Sequence, residues 1–205
     1  MSDTSTLSTL LCDLDNTLID RDAAFEAWLH SEPSLSATDR AELLCIDAGG
    51  HGSRAQLFAA LRRKLQLSVT QVRKRFEEGI LAHITVKAGA IALLRAFSGS
   101  KVVITNGTAQ LQRAKLQAAG LGPFIDAVIV SEDLGQRKPH PALFQAALHA
   151  VSAQAVHALM IGDHPIHDIE GAKRQGIRGV LLRTPWFDPP PGIRTISSLS
   201  ELQLP

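Results

Sequence analysis

Cysteine is scarce in this chain: Cys12 and Cys45 are the whole supply in 205 residues. Two thiols do not make a disulfide framework, and no CxxC pair offers a redox or zinc motif. A reduced, cytoplasmic protein is the expectation. Cys12 falls inside an apolar run and reads as a small core residue rather than a nucleophile. Net charge is nearly absent as well, with 21 Lys and Arg against 20 Asp and Glu. No global field then draws in nucleic acid or an anionic membrane, so recognition of any anion must be local. No apolar run approaches the length of a membrane span. The opening MSDTSTLST has neither the basic start nor the apolar core of a signal peptide. Internal repeats and low-complexity segments are missing too. What remains is a globular composition, 45% apolar and 20% charged, in a length suited to one sizeable domain or a core with an insert.

Hydrophobic periodicity divides the chain. Leu7 to Leu14 is an apolar run ending in acidic residues, which reads as a buried strand stopping near Asp13. Between residues 21 and 83, the stretches DAAFEAWLH, ATDRAELLCIDA, RAQLFAALRRKL and TQVRKRFEEGILAH carry apolar residues at helical spacing. Two of these helices are expected at Thr38 to Ala48 and Thr70 to His83, each opening on a plausible cap. From about Val86, the strand-like runs KVVIT, AVIV, HALMIG and GVLL alternate with the helix-like GAIALLRAF, TAQLQRAKLQAAG, HPALFQAALHAV and IHDIEGAKRQG. That alternation predicts a parallel sheet with helices on both faces, and continuous β-branched runs suit strands buried on both sides. The expected architecture is an α/β, Rossmann-like core of residues 1–18 and 86–205. A helical insert of about 19–85 interrupts it after the first strand. The proline-rich stretch Pro185 to Pro191 is expected on the surface.

Ligands of doubly wound sheets bind beyond the carboxyl ends of the strands. Asp13 and Asp15 stand at the first such end, Thr105 and Asn106 at the second, and Asp163 after HALMIG. In extended chain, residues i and i+2 share a side, so Asp13 and Asp15 repel unless a cation separates them or one is protonated. One of the two carboxylates can ligate a metal and attack phosphorus. The other can give a proton to the leaving oxygen and later take one from water. Thr105 and the N–H groups of Thr105-Asn106-Gly107 are candidates for holding phosphate oxygens, although an ordinary turn capped by Thr108 fits as well. Lys138, in GQRKPHP, is placed to stabilise a nucleophile and phosphoryl charge, with Arg137 as a possible helper. GDHPIHD adds Asp163 and Asp168, oxygen ligands suited to Mg²⁺. His164 and His167 raise zinc or iron, and the His167-Asp168 doublet raises the HD phosphohydrolases. No cysteine lies near, and those hydrolases are all-helical, so both histidines are taken as incidental or supporting.

In their order, these pieces resemble the haloacid dehalogenase superfamily, and its phosphatases in particular. DLDNT is similar to the family's DxDxT motif, Thr105 to the Ser/Thr motif, Lys138 to the third motif and GDHPIHD to the acidic fourth. The helical insert after the first strand resembles the C1 type of cap. The resemblance implies Asp13 as nucleophile, passing through an aspartyl-phosphate. It implies Asp15 as general acid and base, offering its backbone carbonyl to Mg²⁺. Thr105, the Asn106 N–H and Lys138 would hold the phosphoryl group. Asp163 would complete the metal contacts, with Asp168 acting through water or by orienting Lys138. Many relatives carry Gly where this chain has Asn16, a residue that also tolerates left-handed backbone. True dehalogenases lack an acid at the position of Asp15, so its presence favours phosphoryl chemistry.

The insert should close over a small phosphate ester and exclude water. His51 and Arg54, in the glycine-rich break Ile46 to Arg54, are the candidates for contacting its polar part, although a flexible loop fits too. Phe25, Trp28 and Phe58, at helical spacing, read as core of the insert. Two other functions share these residues. A phosphomutase would return phosphate to a bound sugar. A receiver-like switch or inactive binding module would lack turnover, but receivers have no such insert and nothing of the motif set is missing here.

Overall fold

The computed structural model describes residues 7–202 and 204. Residues 1–6, with most of the polar opening and the start of the expected core, lie outside the described residues, as do 203 and 205. The chain opens with β1 (Thr9–Cys12), every residue of it buried. Four helices follow: α1 (Arg21–Ser31), α2 (Ala37–Asp47), α3 (Arg54–Leu65) and α4 (Val69–His83). The next elements are α5 (Ala90–Ala96), β2 (Ser100–Thr105), α6 (Ala109–Ala118), β3 (Ala127–Val130), α7 (Ser131–Leu134) and α8 (Pro141–Ala150). β4 (Ala158–Gly162) leads through a π-helical turn, Pro165–Glu170, into α9 (Gly171–Lys173), β5 (Arg178–Leu182) and β6 (Thr195–Ile196).

The six strands form one parallel sheet in the order β3-β2-β1-β4-β5-β6, flanked by helices, as the alternating pattern leads one to expect. β1 is central: Thr9 pairs with Ser100 of β2 on one side and Ala158 of β4 on the other. Alternate strand residues Leu11, Val102, Ile104 and Met160 bury one face against Leu143, Phe144 and Ala147, which share one side of α8. Each such aliphatic or aromatic side chain contributes roughly 1.5–3 kcal/mol on burial, so the sheet is fixed by packing before any polar group is considered.

Two compact units result: Met1–Ile19 with Val86–Pro205, and Asp20–Thr85. In the first unit, the chain leaves at Ile19 and returns at Val86, paired across an antiparallel bridge. In the second unit, α1 packs on α4, and Phe25, Trp28, Phe58 and Phe76 pack ring against ring at 5.4–5.9 Å. α2 and α4 open earlier than expected, not at Thr38 and Thr70. Ser36 and Ser68 are the caps, in reciprocal capping boxes with Asp39 and Gln71. A Ser-x-x-Asp or Ser-x-x-Gln box satisfies two backbone donors at once, which outcompetes a single threonine cap.

The glycine-rich break after α2 is ordered by a buried ion pair. Arg21 holds both oxygens of Asp47, which also accepts from the Gly50 N–H at 3.0 Å. The glycines let this backbone close on itself: a Cβ on Gly52 would meet the Ile46 carbonyl oxygen at 1.9 Å.

Candidate active site

Because β1 lies between β2 and β4, the ends of three adjacent strands meet. Asp13 follows β1, with its N–H donating to Ile161 O at 2.9 Å. Thr105 ends β2, and Asp163 follows β4. The turn after Asp13 needs left-handed backbone at Asn16, where φ is 59°. Asparagine supplies it more readily than most residues with a Cβ.

Lys138 comes from the segment between α7 and α8. Asn106 positions it by gripping its backbone: Asn106 Nδ2 donates to Lys138 O at 3.2 Å, and Lys138 N donates to Asn106 Oδ1 at 2.8 Å. The buried Nζ donates to Asp13 Oδ1 at 2.5 Å and Ile104 O at 2.7 Å, and pairs with Asp168 Oδ1 at 2.7 Å. With Asp168 the contact is a charge pair, since its buried Oδ1 makes no hydrogen bond. Arg137, next to it, is exposed.

Asp168 reaches this group from the π-helical turn, where a regular helix is the sequence expectation. Three hydrogen bonds of His164 shape the turn. Its Nδ1 accepts from the N–H groups of Ile166 and His167, and its own N–H donates to Asp168 Oδ2 at 3.0 Å. Gly162 makes room: a Cβ there would stand 2.3 Å from Asp168 Oδ2. The His164 and His167 rings stack at 3.7 Å, with Phe187 4.4 Å from His164. With its Nδ1 engaged by backbone N–H groups, His164 is built as an organiser of the turn.

Asp13, Asp163 and Asp168 are all buried and each brings a carboxylate oxygen within 4.8 Å of the others. Three ionised carboxylates against one ammonium sum to a charge of −2. An all-oxygen donor set with that excess suits a hard divalent cation such as Mg²⁺. Burial pushes the Asp13 carboxyl well above its usual range; Lys138 opposes the shift, and Asp168 and Asp163 add to it. For Lys138 burial acts downward, but the charges of Asp13 and Asp168 win and hold its ammonium above the ordinary lysine value. Burial, then the Asp13 charge, also raises the Cys12 thiol, which suits a core residue.

Asp15 stands apart from that group. Its oxygens contact Lys115 Nζ at 2.8 and 2.7 Å, and Oδ2 also accepts from Gln112 Nε2 at 3.1 Å. Gln112 Nε2 donates to Thr105 Oγ1 as well, at 2.5 Å. Around Thr105-Asn106-Gly107, two N–H groups are already taken: Gly107 N donates to Ser131 Oγ, and Ala109 N to Glu132 Oε2. Glu132 thus does the capping expected of Thr108, whose side chain makes no cap bond.

His51 and Arg54 belong to the other unit. Arg54 approaches Asp47 at 3.4 Å and lies over the Phe76 ring at 4.8 Å. Sequence reasoning missed Gln112, Lys115 and Gly162. The signal for the first two was two polar residues one helical turn apart, sharing the buried face of α6 with Leu116.

The family model of the haloacid dehalogenase-like hydrolases matches residues 10–182. The chain belongs to that family. The glyceraldehyde 3-phosphate phosphatase of Pyrococcus abyssi is 30% identical over 203 residues, covering 88% of this chain and 81% of its own. The pyrimidine 5'-nucleotidase YjjG of Escherichia coli is 31% identical over 152 residues, 71% of this chain and 68% of its own. The phosphoserine phosphatase of Thermus thermophilus is 35% identical over 141 residues, which span 66% of this chain but half of that relative. The magnesium-bound structure of the HAD-hydrolase YfnB from Bacillus subtilis shares the fold, with a TM-score of 0.81, 24% identity and 96% of each chain covered. With phosphatases as its relatives, this haloacid dehalogenase-like hydrolase falls with the phosphomonoester hydrolases.

Proposed function

We propose that the chain is a Mg²⁺-dependent phosphatase of small phosphomonoesters that works through an aspartyl-phosphate on Asp13. The observation that carries this reading is the buried group of Asp13, Asp163 and Asp168 around Lys138. Such an excess of buried negative charge is costly to maintain and is relieved by a divalent cation, which with Lys138 also lets a phosphate dianion enter. Asp13, Asp163 and the backbone carbonyl of Asp15 would hold the ion, with Asp168 acting through water or by orienting Lys138, beside which its Oδ1 lies. When bound the ion would draw charge from the phosphoryl oxygens, so that the Asp13 carboxylate could approach phosphorus.

Lys138 engages Oδ1 of Asp13, and the carboxylate attacks phosphorus as the bond to the ester oxygen breaks. Asp15 gives its proton to that leaving oxygen, so the alcohol departs neutral. Water then attacks the aspartyl-phosphate, giving its proton to Asp15. Phosphate leaves, and both carboxyl groups return to their starting states. Thr105 and the Asn106 N–H bind the phosphoryl oxygens, and Lys138 balances their charge. Asp20–Thr85 acts as the cap, with His51 and Arg54 selecting the non-reacting part of the substrate. Relatives named for glyceraldehyde 3-phosphate, phosphoserine and phosphoglycolate support small phosphomonoesters as the class.

The test is phosphate release from p-nitrophenyl phosphate with Mg²⁺. Turnover that EDTA abolishes and Asp13→Asn removes is expected. An Asp13→Asn variant as fast as the native protein rules the mechanism out.

A further inference from the structure

Asp15 is held by a network rooted in one helix. Lys115 and Gln112 lie three residues apart on the buried face of α6. Lys115 Nζ contacts both oxygens of Asp15, and Gln112 Nε2 contacts Oδ2. Gln112 turns the nitrogen end of its amide to Asp15, the orientation that the ionised carboxylate, which only accepts hydrogen bonds, requires. The same nitrogen lies 2.5 Å from Thr105 Oγ1, so Thr105 must accept there. Its hydroxyl proton is thereby directed elsewhere, available to a phosphoryl oxygen. Gly107 makes the reach possible, since a Cβ there would press on Gln112 Cδ at 2.9 Å.

The geometry points to Lys115 and Gln112 as positioning residues: they aim Asp15 at the leaving oxygen and set the donor direction of Thr105, coupling the acid to the phosphoryl-binding hydroxyl. This rests on the reading of Asp15 as proton donor. Neither side chain touches the reacting atoms. Both act by fixing a rotamer, which matters because a proton must pass over a hydrogen-bond distance in the transition state.

Leaving-group dependence separates this role from a structural one. Phenolate is a poor leaving group and needs the proton; 2,4-dinitrophenolate does not. For Lys115→Met, kcat/KM on phenyl phosphate is expected to fall about 100-fold, within the range of general acid catalysis. On 2,4-dinitrophenyl phosphate it falls less than about 3-fold, because that ester reports only attack and phosphoryl binding. Lys115→Arg recovers most of the loss. Asp15→Asn shows the same split, and adding Lys115→Met to it changes nothing further. Equal losses on both esters, or a double variant whose losses multiply, would overturn the positioning role. A crystal structure of Lys115→Met gives a readout that needs no turnover. Displacement of the Asp15 carboxylate from α6 supports the proposal, and an unmoved carboxylate refutes it. If native protein cleaves neither ester, the phosphatase reading fails, and the crystallographic result still decides whether Lys115 positions Asp15.

Discussion

Replacing Lys138 with methionine removes one charge at nearly constant length, so the electrostatics of the site can be read without a large cavity. Asp13, Asp163 and Asp168 lie within 4.8 Å of one another. At an effective dielectric constant near 20, each ionised pair at that distance repels by about 3.5 kcal/mol, roughly 10 kcal/mol for three pairs. That approaches the whole stability of an ordinary domain. Without Lys138 and without a divalent cation, at least one carboxyl must therefore take up a proton. Burial already raises Asp13 above the ordinary 3.8, and Lys138 is the group that opposes the shift. A group with a raised folded pKa contributes stability at low pH that is lost as pH rises through the folded value. The stability difference between native and Lys138→Met should be small near pH 4. It should grow to about 3–5 kcal/mol at neutral pH in EDTA, the usual penalty for breaking a buried ion pair. Urea unfolding across that range measures it, and saturating Mg²⁺ should recover part of the neutral-pH loss. A difference of constant size at every pH, unmoved by Mg²⁺, refutes the electrostatic reasoning.

Gly162→Ala should push Asp168 off its place, because the new Cβ would stand 2.3 Å from Oδ2. Mg²⁺ at a hundredfold excess over its Kd should stabilise the native protein by about 2.7 kcal/mol. Thermal scans should show that gain lost in Gly162→Ala while the far-ultraviolet spectrum is kept. Asp47→Ala leaves Arg21 buried without that carboxylate and should cost about 3–5 kcal/mol. Hydrogen exchange in α1 to α3 reads this, and unchanged protection there contradicts it. Arg75 holds Glu32 below its ordinary 4.5, and Lys64, then Ser36, hold Asp39 down to about 2. Lowered folded values mean stability present above 4.5 and 3.8 and lost as pH falls through the folded values. Acid titration followed by exchange in α1, α2 and α4 should show that loss, and Glu32→Gln should flatten it.

The parallel sheet was legible because its strands are continuous apolar runs separated by helix-length stretches, and short-range periodicity encodes that directly. Asp13, Thr105 and Asp163 stood out because strand ends are where such folds bind ligands. β6 was not legible, since two residues carry no period. The π-helical turn was hidden for another reason: it depends on a histidine side chain accepting two backbone N–H groups, a contact that leaves apolar spacing untouched. Lys115 reads in the sequence as one more solvated lysine. Its burial follows from Asp15, 100 residues away, standing beneath the same helix face. The break after α2 looked like a loop because the Arg21 that orders it lies 26 residues upstream.

The central place of β1 in the sheet has a consequence for how the chain is made. β1 ends at Cys12, while its two neighbours begin at Ser100 and Ala158. At ribosomal speeds of about 5–20 residues per second, roughly 4–18 s pass before the first neighbour exists and roughly 7–29 s before the second. Through that interval Leu10 and Leu11, later fully buried, have no sheet to enter. The helices of Asp20–Thr85 meet partners close in sequence and do not have to wait. Of the described strands, the one that leads to Asp13 is thus the first made and waits longest for its two neighbours, and a nascent chain halted before residue 158 is open to chaperones along that strand.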